Sequence, residues 1–358
     1  MKILFLSEHH PGSQGGIQTF GRVLKQFLKE KLFFLTFDNK ENKDFKEIFV
    51  VENVYKIPKE NVFFKILNKL LKNKLREIFY SKKINEFLPE IVILGFPNEI
   101  NYIKNKNIKK VLVQHINYEI FISEFCKKNL KLIEKLKKDL DMFVFLSEYD
   151  RKKFVKNLNF PLEKTTVIRH SCQVELLMEN KKKNKNLIMI CRLQNNHKRI
   201  DLAIKVMKKL KEFTLNIYGD GPDKEFLENL IKEEKLENVI LHGGTNRIKE
   251  KLDENGIFIM TSDFEGYGIT NIEAMRRGLP IVLRNTFDAA PDVVQNNGIL
   301  LDKNWNEEEF IEAVHKIYEN YEYYSKNALE MGKRYNFEVI KSHWEELFKK
   351  LLQKENKI

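Results

Sequence analysis

Two glutamates, Glu265 and Glu273, bracket a glycine-containing loop and the start of a short helix in the stretch TSDFEGYGITNIEAMRRGLP at positions 261–280. Glycines at 266 and 268 let the backbone approach a ligand where a Cβ would interfere. A loop running into a helix N-terminus presents free N–H groups and the positive end of the helix dipole, a setting that suits an anion. Carboxylates on either side of that opening accept hydrogen bonds from hydroxyls. Upstream, Arg192 and Lys198 stand six residues apart beyond the apolar run LIMIC at 187–191. Two cations past a strand end can neutralise a departing pyrophosphate. A ligand that is anionic at its centre and rich in hydroxyls at both ends, such as a nucleotide sugar, would engage all of these groups.

Simpler readings exist for each residue. Thr270 is placed as an N-cap with Glu273 three residues on, so the pair could merely close a capping box. Glu265 could be a solvated loop residue, and Arg192 and Lys198 two solvated cations. Arg199 is the alternative to Lys198 if the register slips by one.

The pattern Glu265-Gly266-Tyr267-Gly268-Ile269, then Glu273-Ala274-Met275 and Gly278-Leu279-Pro280, resembles the two-glutamate signature of family 4 retaining glycosyltransferases. The resemblance extends to Arg192-Leu193 followed by Lys198-Arg199-Ile200-Asp201-Leu202-Ala203-Ile204, the family's diphosphate-binding pair, and to Gly15-Gly16, a loop that approaches the donor phosphates. It implies an α/β protein of GT-B architecture, two facing Rossmann-like domains with the active site in the cleft and a C-terminal helix returning to the first domain. It implies sugar transfer from a nucleotide donor to an acceptor hydroxyl with retention, without cofactor or metal. Glu265 would face the donor sugar and Glu273 the ribose. Gly15, Gly16, Arg192, Lys198, Gly243, Gly266, Tyr267, Gly268 and Ile269 would complete the donor site. His115, at the end of the run VLVQ, would act near the acceptor and sugar. A lone histidine at a strand end is more often a satisfied structural residue. The sequence departs from the family at His170-Ser171, where Asn-Gly is usual, and at Asp288-Ala289-Ala290, where a glycine pair is usual.

The elements that must position these residues follow from pattern. The runs KILFLS at 2–7 and GIFIM at 256–260 read as buried parallel strands. Further strands are expected at 32–37, 48–51, 91–94, 111–114, 142–146, 187–191, 213–218, 239–244 and 280–283. Ile17, Phe20, Val23, Leu24, Phe27 and Leu28 recur at helical spacing behind Gly15-Gly16, an opening βα unit. The glycines make no G-x-G-x-x-G fingerprint, which disfavours a nicotinamide or flavin site. Pro222 is placed at the first turn of a helix, and Gly278 where the signature helix should stop. Helices are expected across 306–332 and at 337–352. The resulting domains are 1–178, 179–335 and a crossing helix at 336–358, with the polar stretch 179–186 as linker.

With 358 residues, two cores are expected. No apolar run reaches the ~18–20 residues of a membrane span, and the N-terminus reads as a first strand rather than a signal peptide. Cys126, Cys172 and Cys191 lack metal or redox spacing, and the sparse set suits reduced thiols in a cytoplasm. The Asp139-Leu140-Asp141 triplet reads as a helix-to-strand junction rather than a metal site. The net charge of +12 resides wholly in residues 1–178. Two basic amphipathic stretches, 59–87 and 127–138, lie there. They suit either an anionic membrane surface, at the inner face of the cytoplasmic membrane, or a solvated face; no motif supports nucleic acid. The expected partners are a nucleotide-sugar donor and a lipid-linked or glycan acceptor of surface polysaccharide or lipopolysaccharide type. A phosphorylase or synthase on the same fold is a second enzymatic reading, and a non-catalytic nucleotide-sugar-binding or membrane assembly protein the alternative from another class.

Overall fold

The computed structural model describes residues 1–7, 11, 16–36, 54–56, 74–116, 118–126, 130–179, 181–265 and 267–353. The chain forms two compact units, one of residues 1–146, 150–168 and 341–358, the other of 147–149 and 169–340.

The first unit is built on seven parallel strands: β1 (Ile3–Ser7), β2 (Leu32–Thr36), β3 (Val54–Lys56), β4 (Ile91–Leu94), β5 (Lys109–Val113), β6 (Met142–Phe145) and β7 (Thr165–Val167). They lie in the order β3-β2-β1-β4-β5-β6-β7. The apolar runs of β1, β4 and β6 are buried residue by residue, as strands covered on both faces require. The expected strand at 48–51, loop positions 8–10 and 12–14 with Gly15, and residues 59–73 of the first basic stretch lie outside the described residues, as does 127–129 of the second. Asp139 ends the Leu130–Asp139 helix and Asp141 Oδ2 accepts from Lys110 N at 2.9 Å, so the triplet is a junction.

The last helix, Phe337–Gln353, belongs to this first unit from Lys341 onward. Trp344 and Phe348 on it are 1% exposed, and the Trp344 ring lies 5.7 Å from that of Phe20 on the Gly16–Leu28 helix.

The second unit holds β8 (Asn186–Ile190), β9 (Thr214–Tyr218), β10 (Val239–Gly243), β11 (Ile257–Met260), β12 (Ile281–Arg284) and β13 (Gly298–Leu301), all parallel, in the order β10-β9-β8-β11-β12-β13. Leu187, Met189, Leu215, Ile217, Ile257, Ile259 and Val282 join helix residues such as Ile204, Leu227, Phe310 and Ile317 in one core. Pro222 precedes Asp223, the N-cap of the Lys224–Glu233 helix, so it introduces that helix from outside its first turn. Glu307–Glu319 and Tyr321–Lys333 fill the expected helical region.

The division between units falls at Ile168/Arg169, ahead of the polar stretch 179–186. Residues 169–178 are tied into the second unit by their backbone: Cys172 N donates to Tyr335 O at 3.1 Å and Leu177 N to Arg276 O at 2.8 Å. Arg276 and Arg277 return the bond to the carbonyls of Val174 and Glu175.

Candidate active site

Both the cations and the carboxylates sit in the second unit, on the loops leaving β8 and β11. These neighbouring strands are where the order reverses, β8 leading out to β9 and β10, β11 to β12 and β13. Ligands of open parallel sheets bind beyond the carboxyl ends of strands at such a switch point.

After β8 the chain passes exposed Arg192 and makes one helical turn, Asn195–Lys198. Arg199 follows in the left-handed region at φ 47° and redirects the chain into the Ile200–Val206 helix. That turn sends the two adjacent cations to different partners. Arg199 pairs with Asp201 at 3.1 Å and Asp263 at 3.2 Å. Lys198 Nζ reaches Glu265 Oε1 at 2.5 Å. Lys198, not Arg199, is therefore the cation that meets the signature carboxylate.

Glu265 is 9% exposed, so it is no solvated loop residue. Its Oε1 also accepts from Ser262 Oγ at 2.7 Å. The preceding residues hold this loop to its surroundings. Thr261 Oγ1 donates to the carbonyls of Lys198 and Arg199, at 3.1 and 2.8 Å. Arg284, at the end of β12, donates to Thr261 O at 2.7 Å and Asp263 Oδ1 at 2.6 Å. Burial acts to raise the Asp263 carboxyl, but the bonds from Arg284 and Arg199 outweigh it and hold the group below its ordinary value.

The helix after this loop is Ile269–Arg276, and its N-cap is Gly268 at φ 72°. A Cβ on Gly268 would stand 2.3 Å from Asn271 Nδ2, so the tight entry requires glycine. Thr270 is consequently the second helical residue rather than the N-cap, and no capping box with Glu273 forms. Gly278, at φ 72°, closes the far end, where Gly278 N donates to Met275 O and Leu279 N to Ala274 O. Half-buried Glu273 has no hydrogen-bond partner for its carboxylate among the described residues. Burial pushes it up to about 7. A carboxyl so placed is ready for hydroxyl donors that would favour its charged form.

Gly266 and Gly15 lie outside the described residues, and Gly16 opens the Gly16–Leu28 helix. Gly243 ends β10 at φ 81° and accepts from Gly219 N at 2.8 Å, which brings the turns after β9 and β10 together. Ile269 begins the signature helix, half-buried.

Tyr267 turns inward. Its hydroxyl bonds that of Tyr335 at 2.9 Å, and His170 meets its ring edge-on at 6.0 Å. The His170 found where Asn-Gly is usual thus packs the signature loop from behind, and burial lowers it to about 4, leaving it neutral. Asp292, just past the Asp288-Ala289-Ala290 departure, pairs with Arg169 at 3.1 Å.

His115 follows β5 in the first unit, half-buried, with its ring 4.9 Å from Phe20. Burial drives the Cys172 and Cys191 thiols up to about 12, which makes them inert core groups. Among the described residues no group of three or more His, Cys, Asp or Glu could hold a metal.

Ser262, Thr261 and Arg284 are site residues the sequence did not single out. The one signal for Thr261 and Ser262 is the polar triplet Thr261-Ser262-Asp263 placed directly behind a buried strand.

Comparison with known proteins agrees with this geometry. The chain is 26% identical over 352 residues to the poly(ribitol-phosphate) alpha-N-acetylglucosaminyltransferase of Staphylococcus aureus (strain COL), covering 90% of this chain and 70% of that one. It superposes on the apo lipopolysaccharide outer core galactosyltransferase WaaB with a TM-score of 0.77 at 18% identity, covering 98% of this chain and 100% of that one. Anabaena Alr3699/HepE, solved with UDP, gives 0.77 at 16% identity and covers 98% and 100%. These structures share the GT-B fold with the present chain. Over residues 178–334, the segment that carries Arg192, Lys198, Ser262, Glu265 and Glu273, the chain matches the family of glycosyl transferases group 1.

Proposed function

We propose that this protein is a retaining glycosyltransferase that moves a sugar from a nucleotide donor to an acceptor hydroxyl in the synthesis of surface polysaccharide, lipopolysaccharide or a lipid-linked glycan. The observation that carries the reading is the part-buried Lys198–Glu265 pair at the switch point, one helical entry away from Glu273, whose carboxylate has no partner among the described residues.

The donor diphosphate would sit at the N-terminus of the Ile269–Arg276 helix, neutralised by Lys198 and Arg192. Glu273 would accept from the ribose hydroxyls. Glu265 would lie beside the anomeric carbon and stabilise positive charge there as the bond to the phosphate oxygen breaks. The acceptor oxygen would form its bond on the face the phosphate leaves, and its proton would pass to that phosphate. Lys198 and Arg192 supply the electrostatic role a metal plays elsewhere, so activity should persist in chelator. His115 is proposed to contact the acceptor side. The names of the poly(ribitol-phosphate) and lipopolysaccharide enzymes support a surface-polymer or glycan acceptor.

The test is incubation with a panel of nucleotide sugars, beginning with UDP-sugars, and NMR of the product's anomeric configuration. Transfer or slow donor hydrolysis supports the reading. Tight nucleotide-sugar binding with neither reaction, across acceptors, would favour the non-catalytic alternative, and a product of inverted configuration would remove the retaining assignment.

A further inference from the structure

The Lys198–Glu265 pair poses a problem for donor binding. Glu265 Oε1 accepts from two donors, Lys198 Nζ at 2.5 Å and Ser262 Oγ at 2.7 Å. When a diphosphate draws Lys198 to itself, Glu265 loses its cationic partner while remaining buried, and an unpaired buried carboxylate is costly. Among the described residues, the one donor left to it is the Ser262 hydroxyl. Ser262 is 3% exposed at the carboxyl end of β11, and its carbonyl accepts from Thr286 Oγ1 at 2.7 Å, so its backbone is held independently of the ligand. Thr261, one residue earlier, bonds the carbonyls of Lys198 and Arg199. The adjacent hydroxyls therefore grip the two partners separately, Thr261 the backbone that carries the lysine, Ser262 the carboxylate.

We propose that Ser262 is a positioning residue that keeps Glu265 hydrogen-bonded and aimed when Lys198 is handed to the donor diphosphate. The proposal rests on the reading of Lys198 as a diphosphate ligand and Glu265 as the sugar-facing carboxylate. Without the hydroxyl, Glu265 either follows Lys198 or stands unpartnered, and both outcomes weaken diphosphate binding and misplace the carboxylate.

The test is a double-mutant cycle on the full chain, read by calorimetric binding of UDP and by donor turnover. UDP is the probe because it carries the diphosphate without the sugar. Ser262→Ala should weaken UDP ~5-fold and lower kcat ~10–50-fold in the parent background. In the Glu265→Gln background, where no charge is stranded, it should change UDP affinity less than ~2-fold. Both losses should be rescued in Ser262→Thr, which restores the hydroxyl. Equal losses in both backgrounds, or no rescue by Ser262→Thr, overturn the proposal and leave Ser262 as packing. A different outcome marks failure of the underlying reading: Lys198→Ala and Glu265→Gln would then both leave UDP affinity and turnover at parental values. The melting temperature of each variant separates loss of fold from loss of function.

Discussion

At the scale of single residues, the site is governed by what burial does to charge. Glu273 has its carboxyl raised to about 7 by burial alone. If ribose hydroxyls bind its charged form, binding must expel a proton below that pH. Nucleotide affinity should therefore fall as pH drops from 8 to 6, approaching tenfold per unit below 7, and Glu273→Gln should flatten the dependence. Titration calorimetry across pH reads this directly. The same shift has a stability consequence of fixed sign. The folded state holds the proton more tightly than the unfolded chain, so Glu273 costs the ligand-free protein stability as pH rises from the ordinary carboxyl range through about 7. Lys198→Ala should lower turnover ~10²–10³-fold. It should also cost about 1–3 kcal/mol of stability, because it leaves Glu265 buried with Ser262 alone. Sequence reading proposed Lys198 and Glu265 as separate ligand contacts. It could not show that, with no donor bound, each is the other's partner, because they are 67 positions apart and meet only through the adjacency of β8 and β11.

At the scale of elements, strands were the most legible feature. Runs such as IVIL and IFIM are buried on both faces, and continuous apolar character is what that environment selects. Helix boundaries were less so. Thr270 followed by Glu273 satisfies the capping-box pattern, yet the entry is made by Gly268 in the left-handed region, a backbone choice that side-chain patterning does not encode. Gly268→Ala should therefore disturb the loop, through positive φ and the approach of Asn271, costing about 1 kcal/mol or more. The loss should appear both as a lower melting temperature and as weaker nucleotide binding. Tyr267 marks another limit. Its place inside the signature suggested a ligand contact, whereas its hydroxyl is spent on Tyr335, a pairing 68 residues distant.

At the scale of the whole molecule, charge separates the halves. The excess of +12 falls entirely in residues 1–178, where acceptors are expected to bind. No helix among the described residues is long and apolar enough to cross a membrane. Peripheral docking on an anionic surface is proposed from the charge alone. Co-sedimentation with anionic vesicles should exceed that with neutral ones and fade as the Debye length shortens to ~3 Å at 1 M salt. Equal, negligible binding to both would remove the membrane claim and favour a soluble acceptor. The second consequence comes from the last helix, whose Trp344 and Phe348 complete the core of the first unit. During translation, the opening sheet emerges long before residues 341–353 exist to cover Phe20. At ~5–20 residues per second, the interval from residue 168 to 341 lasts roughly 10–35 s. For that time the nascent first unit carries an uncovered aromatic face, so it is the unit that should depend on chaperones at the ribosome, although it is made first.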